Sequence, residues 1–407
     1  MDRTRLGIVT ACTVGNIVSM TPAVHAVFGL FLIPLSETFG WPRAAISGVL
    51  GVIAVTGAIV LPLAGRMADR YGVRRLALVG NLALAAMLAL LAFTNGSLAL
   101  FYLTFAGIAV AGSIPSSPLY AKMVSDWFDA RRGAMLGISA GLGNALGSTL
   151  LPIAAAVMMP LIGWRGAYAG IAAIVLGLGF PVLFLLLRDA PRHAIGDPAA
   201  ARRNEGATLR QAMRMPAFWL IAVAIATGAG CLTAIFSHVV PILAERGIST
   251  GTATAVISTF ALTTAVWQIS LGVALDRLPS ARLVTPFYLA GVGGIAVLAS
   301  AGGTAGLLAG GLLLGIALGT QYGALPYLVA RYFGLRSFGA IVGVLYSAVS
   351  LAQGLTPVLL DRGYDVQGSY ATGLVIIGVC LSAGAALLLL LPPYRSAAAV
   401  PAAALHV

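Results

Sequence analysis

The sequence predicts an all-α integral membrane fold of twelve transmembrane helices, arranged as two six-helix bundles related by pseudo-two-fold symmetry along the membrane normal. Three observations carry that expectation. The chain is 59% hydrophobic and 9% charged, with a mean hydropathy of +0.98, whereas soluble domains carry roughly 25% charged residues. Twelve apolar segments can be placed in it, each about the 20 residues needed to cross a bilayer. A cluster following the second segment, Gly65, Asp69, Arg70 and Arg75, returns as Gly272, Asp276, Arg277 and Arg282, each 207 positions further on. A charged cluster repeated half a chain later points to two related bundles joined head to tail.

Taken in order, the first segment (7–36) outruns the core of a signal peptide and lacks a small-residue cleavage pattern, so it is a retained helix. The second (43–64) runs into the Gly65 cluster, and the third (76–95) and fourth (98–124) follow it. The fifth (133–160) opens with Gly133, Gly137 and Gly141, four apart, then Gly143 and Gly147. Small residues at that spacing share a helix face and let backbones approach closely, either as ordinary tight packing or as a sliding contact between helices that rock. The sixth (166–187) ends at Arg188, where a polar interval reads as a linker over 188–214. The second half repeats the scheme at 216–243, 252–274, 283–301, 305–330, 338–360 and 370–391. The expected domains are therefore an N-terminal bundle (1–187), a cytoplasmic linker (188–214) and a C-terminal bundle (215–407).

The repeat supports that division. Pro34 and Gly40 recur as Pro241 and Gly247, and Tyr120 as Tyr327, all at the 207 offset. Trp127, Phe128 and Arg131 match Tyr332, Phe333 and Arg336 after a slip of two. Chance would not hold one offset across three separate loops.

A net charge of +12 would suggest nucleic acid in a soluble protein, so the placement of the cations matters. With a cytoplasmic amino terminus, only Arg43, Arg165, Arg246 and Arg362 of the 24 Lys and Arg residues fall in outer loops. This positive-inside bias places both termini in the cytoplasm of a multi-pass protein of the cytoplasmic membrane, and the surplus reports orientation rather than a nucleic-acid partner. Cys12, Cys231 and Cys380 all lie within spans, so no disulfide framework is expected.

The Gly65 to Arg75 stretch and its second copy resemble the loop signature of the major facilitator superfamily, found after the second helix of each half. Three further stretches resemble its bacterial branch of monocarboxylate porters and oxalate/formate exchangers: Phe39 to Ser47, Trp127 to Gly137, and Ser237 to Pro241. The resemblance implies alternating access, with the first, fourth, seventh and tenth helices lining a central cavity and the loop signature acting as a cytoplasmic latch. The latch residues are then Gly65, Asp69, Arg70 and Arg131, with Gly272, Asp276, Arg277 and Arg336. Asp69 has the positive amino end of a neighbouring helix as a partner, together with Arg70, Arg74, Arg131 or Arg336, and such contacts are worth about 0.3 to 2 kcal/mol each. They are weak enough to break in every cycle. The alternative is that the cluster only enforces topology, which fits Arg74 and Arg75 better than an acid.

None of the twelve acids falls near a helix midpoint, although many proton-coupled relatives carry a buried carboxylate. Lys122 precedes Asp126 by four residues, the spacing of an intrahelical ion pair. Aligned with the branch, Gln268 stands where an eighth-helix arginine is expected, and Leu345 or Tyr346 takes the eleventh-helix position. Both departures remove fixed positive charge, which argues against a dianion such as oxalate and leaves a monoanion or an uncharged solute.

His25 and His238 lie in helices expected to line the cavity. A histidine, with an unperturbed pKa near 6.5, can accept a proton and offer a transient cation to a carboxylate. Pro22 suggests a kink beside His25. His25 is either such a ligand or a histidine satisfied by a neighbouring hydroxyl; His238, close to the outer end beside Pro241, is either a ligand or an interfacial residue. Tyr346, Ser350 and Gln353 mark one face of the eleventh helix, as Thr264 and Gln268 do on the eighth. Asn144, Gln321 and Tyr327 add hydrogen-bonding capacity. Polar groups of this kind also serve as interhelical ties worth about 0.6 kcal/mol.

There is no Walker pattern, no metalloprotease or Cys-x-x-Cys metal motif and no nucleophile elbow. No enzyme activity, cofactor or metal is expected, and energy must come from gradients. The reading is a monomeric secondary transporter for a small organic solute, a monocarboxylate, by proton symport or exchange. Efflux of a lipophilic or aromatic compound is the alternative within transport, and a membrane receptor or scaffold the alternative outside it.

Overall fold

The computed structural model describes residues 3–128, 131–190, 206–277 and 280–392. Positions 129–130 of the Trp127 to Gly137 stretch, the 191–205 centre of the expected linker and the tail from 393 lie outside the described residues. Hydrocarbon offers no hydrogen bonds, so an apolar crossing segment must satisfy its backbone internally, and a helix does so. Eleven helices among the described residues are long and apolar enough to span a bilayer, one of them the 55-residue Arg132–Leu186. Gly163 within it has φ 69° and ψ 175°, values no α-helix contains. It divides that helix into two crossings, and the twelve expected spans are present.

In chain order they are α1 (3–39), α2 (Arg43–Tyr71), α3 (Val73–Leu91), α4 (98–127), α5 (132–162), α6 (164–186), α7 (Pro216–Glu245), α8 (Thr250–Arg277), α9 (281–300), α10 (Thr304–Phe333), α11 (Phe338–Gln367) and α12 (Ala371–Leu389). Three of the first six contain a wider π turn: Thr21–Ala26 in α1, Gly137–Leu142 in α5 and Val175–Gly179 in α6. In α1 the cause is Pro22, which has no amide hydrogen to give to the preceding turn. The expected kink is thus a change of helical pitch, with Ala23 N–H donating to Ser19 O at 3.0 Å.

The loop repeat has a geometric counterpart. Gly40 after α1 and Gly247 after α7 both take the left-handed conformation, with φ of 67° and 73°, as a glycine beyond a helix end commonly does. Before α7, Ala207 N–H donates to Phe333 O at 2.8 Å, and Thr208 opens the short helix Leu209–Met213 with a capping box to Gln211.

Each apolar core cluster draws its residues either from α1–α6 or from the chain beyond 206. In the first half Phe31 stacks on Tyr168 with centroids 3.8 Å apart; in the second Phe236 meets Phe260 edge-on at 5.0 Å. Such pairs add about 0.5 to 1.5 kcal/mol beyond their burial. The halves meet chiefly along two seams, α2 against α11 and α8 against α5. Both begin at the end of the molecule that carries the Gly65 and Gly272 clusters, called here the basic end.

Candidate functional site

Two carboxylates close the basic end. Asp69, near the end of α2, accepts the amide hydrogens of Gly339 at 3.1 Å and Ala340 at 3.0 Å in the first turn of α11. Asp276, at the end of α8, does the same with Gly133 and Ala134 of α5, both at 2.9 Å. Each acid therefore sits on the positive amino end of a helix in the other half, where unpaired amides favour negative charge. Glycine makes the approach possible: a Cβ on Gly65 would overlap the carbonyl oxygen of Gly339, and one on Gly272 that of Gly133. The repeated Gly and Asp act as one unit, the first allowing contact and the second fixing it.

The expected Lys122 to Asp126 ion pair is present at 3.3 Å, and Lys122 also reaches Asp69 at 3.1 Å. Lysine, supplied from the buried face of α4, is thus the side-chain cation on Asp69, rather than the arginines anticipated from sequence. Those point elsewhere: Arg70 lies over the Tyr71 ring at 5.3 Å, Arg74 donates to Phe184 O at 2.9 Å, and Arg277 and Arg336 are exposed. Arg131 enters α5 with a left-handed backbone, φ 62°.

The α5 glycines split into two sets. Those at 133, 137 and 141 face α8, where added Cβ atoms would meet Gly272, Ile269 and Ala265 in turn, while Gly143 and Gly147 face Thr13, Asn16, Ile17 and Pro22 of α1. Gly141 and Gly143 are two residues, about 200°, apart around the helix, so one stretch of α5 serves both the seam and its own half.

Above the seams lies a polar floor. Asn16 of α1 is fully buried; its Nδ2 donates to Cys12 O at 2.9 Å and Ser139 O at 3.0 Å, and its Oδ1 accepts from Ser117 at 2.6 Å. Asn144 Nδ2 donates to Ser117 Oγ at 3.2 Å and Ala140 O at 2.9 Å. In the other half Gln353 Nε2 donates to Tyr322 Oη at 2.8 Å and Thr233 Oγ1 at 3.1 Å. A small cavity lies between the halves, with Ser117 and Ser139 on one wall, Tyr322 and Tyr346 on the other, and no charged side chain among the described residues of its lining. Tyr322 spends a lone pair on Gln353, and the Thr233 hydroxyl lies beside its own.

The other residues anticipated from sequence are dispersed. His25 is exposed in the π turn of α1, one turn beyond exposed Thr21. Gln268 is buried against Gly141 and Gly323, between α5 and α10. Gln321 turns into its own half toward Gly228 and Tyr288, with both amide atoms buried and no partner among the described residues. Tyr327 ties α10 to α8 by donating to Leu275 O at 2.7 Å. His238 is bound to Asp361 at 2.7 Å, away from the cavity walls. The structure thus groups Asn144, Tyr346 and Gln353 around the cavity with five residues that sequence reasoning passed over: Asn16, Ser117, Ser139, Thr233 and Tyr322.

Comparison with known proteins agrees with this architecture. The probable nitrate/nitrite transporter NarK2 of Mycobacterium tuberculosis is 28% identical over 364 residues, covering 84% of this chain and 87% of its own. Human monocarboxylate transporter 11 is 26% identical over 348 residues, covering 81% of this chain and 71% of its own. Among solved structures, a point variant of the Escherichia coli fucose:proton symporter FucP superposes with a TM-score of 0.68 at 14% identity, covering 95% of this chain and 96% of that one. Residues 14–357 match the Major Facilitator Superfamily. With that match spanning most of the sequence, the chain belongs to the Major Facilitator Superfamily and is a multi-pass membrane transporter of small solutes, not an enzyme.

Proposed function

We propose that the protein carries a monocarboxylate across the cytoplasmic membrane by alternating access, coupled to protons by symport or exchange. The observation that carries this reading is the hydroxyl-lined, uncharged cavity between the halves. Hydroxyls of Tyr322 and Tyr346 suit a single carboxylate, whose hydrogen bonds are stronger than those of a neutral acceptor; a fixed cation would be needed to offset a dianion. The named relatives point the same way, since they are described as carriers of monocarboxylates or of nitrate and nitrite. His25, exposed on the interrupted part of α1 and outside the cavity lining, is the side chain that meets an approaching anion as a cation when protonated.

Under this reading residues 1–187 and 215–407 are the moving bodies, and the basic end, closed by Asp69 and Asp276, faces the cytoplasm. The state described is then closed to the cytoplasm. A small inorganic monoanion is the second reading, favoured by the extent of the match to the nitrate/nitrite transporter.

Proteoliposome uptake of radiolabelled lactate, pyruvate and benzoate under an imposed pH gradient, with nitrate as competitor, tests both. Accumulation of a carboxylate is the expected result. No uptake of any acid, together with nitrate uptake, would replace the first reading by the second.

A further inference from the structure

Toward the end of α7 remote from the basic end, both ring nitrogens of His238 face oxygen atoms. Nδ1 lies 2.8 Å from the carbonyl oxygen of Ala234, and Nε2 lies 2.7 Å from Oδ1 of Asp361 on α11. A carbonyl oxygen only accepts, so Nδ1 carries a hydrogen. In a neutral imidazole that leaves a bare lone pair on Nε2, directed at a carboxylate oxygen within hydrogen-bond distance. Two lone pairs do not meet at that distance without a hydrogen between them. The pair holds one proton more than a neutral imidazole beside an ionised carboxylate, and the proton belongs to the pair, whichever atom bears it.

We infer that His238 and Asp361 form a proton-binding site, in which the shared proton ties the outer part of α11 to α7. Its removal sets a lone pair against an anionic oxygen, and the two helices part. The imidazole is sheltered and the carboxylate is 55% exposed, so water at that end can deliver the proton. The ring of Tyr370, immediately before α12, packs against the imidazole, centroids 5.9 Å apart. The charged groups nearby have their own partners or face solvent. Glu245 accepts from Ser369 and from Tyr370 N–H, Arg246 donates to the carbonyls of Leu298 and Ala301, and Arg362 is exposed.

The tie has a companion. Gln353 and Asp361 are eight residues apart on α11, about 12 Å along the helix, and their partners Thr233 and His238 are both on α7. The two contacts are successive rungs between the same helices, and the inner rung includes Tyr322 of the cavity wall. Opening the outer rung therefore bears on the inner one. This deepens the proton-coupled reading and rests on it: His25 meets the anion, and the His238–Asp361 pair carries the coupling proton.

The first test needs no substrate. In full-length protein in nanodiscs, labelled with ¹⁵N-histidine, the His238 resonance is assigned by its loss in His238→Gln. Its Nε2 should show the signature of a proton shared with a carboxylate, and Asp361→Asn should change that signature; an unchanged Nε2 resonance overturns the inference. In the second, wild type should concentrate lactate about tenfold per unit of imposed pH difference, as one coupled proton requires. Asp361→Asn and His238→Gln should lose that accumulation and keep lactate counterflow, and Asp361→Glu should retain both. Wild-type accumulation in Asp361→Asn overturns the inference. A wild type that moves no lactate, pyruvate or benzoate overturns the monocarboxylate reading instead, and the Nε2 resonance alone then decides the proton site.

Discussion

Asp69 and Asp276, separated by 207 residues, each accept two backbone amide hydrogens at the start of a helix in the opposite half, at distances of 2.9 to 3.1 Å. Their surroundings differ, because Asp69 also holds Lys122 at 3.1 Å. The α2–α11 seam therefore combines a helix-end contact with an ion pair, and no lysine repeats the arrangement at Asp276.

Neutralising Asp69 should open the basic end more than neutralising Asp276. A loss of one to two kcal/mol at the seam corresponds to about a 5- to 30-fold shift between closed and open states. The readout is maleimide labelling of a cysteine at Ser113, buried near this seam. Labelling should rise in Asp69→Asn and rise less in Asp276→Asn, with turnover slowed and substrate affinity little changed. Equal labelling of both variants would remove Lys122 from the account.

Tyr322 and Tyr327 should separate binding from stability. Tyr322→Phe removes a hydroxyl from the cavity wall together with its bond from Gln353, and should raise KM several-fold as well as lower the thermal midpoint. Tyr327→Phe removes the donor to Leu275 O and should cost about 1 kcal/mol, lowering the midpoint and leaving KM alone.

Asn16→Ala should destabilise the protein by about 1 to 3 kcal/mol, since it strips partners from buried groups on α4 and α5. Asn16→Asp should be worse, because it turns a donor facing the Cys12 and Ser139 carbonyls into an acceptor. Thermal unfolding in detergent checks the order.

His25→Ala should make KM for lactate independent of pH. In wild type KM should rise with pH, since an anion held by an imidazolium is released as that proton is lost. A wild-type pH profile in the variant would take His25 out of the binding site.

The seams were legible in the sequence because glycines and acids stand out in an apolar chain and repeat at a fixed offset. Lys122–Asp126 was legible as a one-turn spacing, but Lys122–Asp69 was not, since only the packing of α4 on α2 brings the two together. The cavity wall was less legible. Gln321 and Tyr322 are neighbours about 100° apart around α10, and the rotation of that helix, set by its packing on α7, α8 and α9, turns the amide into the bundle and the phenol into the cavity. The same limit hid Asn16, whose partners Ser117 and Ser139 lie 101 and 123 residues away.

The three π turns, Thr21–Ala26, Gly137–Leu142 and Val175–Gly179, all fall in the first six helices among the described residues. Such turns are where helices bend. Two halves alike in sequence register therefore differ in helix regularity: the first has three such turns, in α1, α5 and α6, and the second has none among the described residues. If the halves rock as proposed, bending concentrates at these turns, in the half that carries His25.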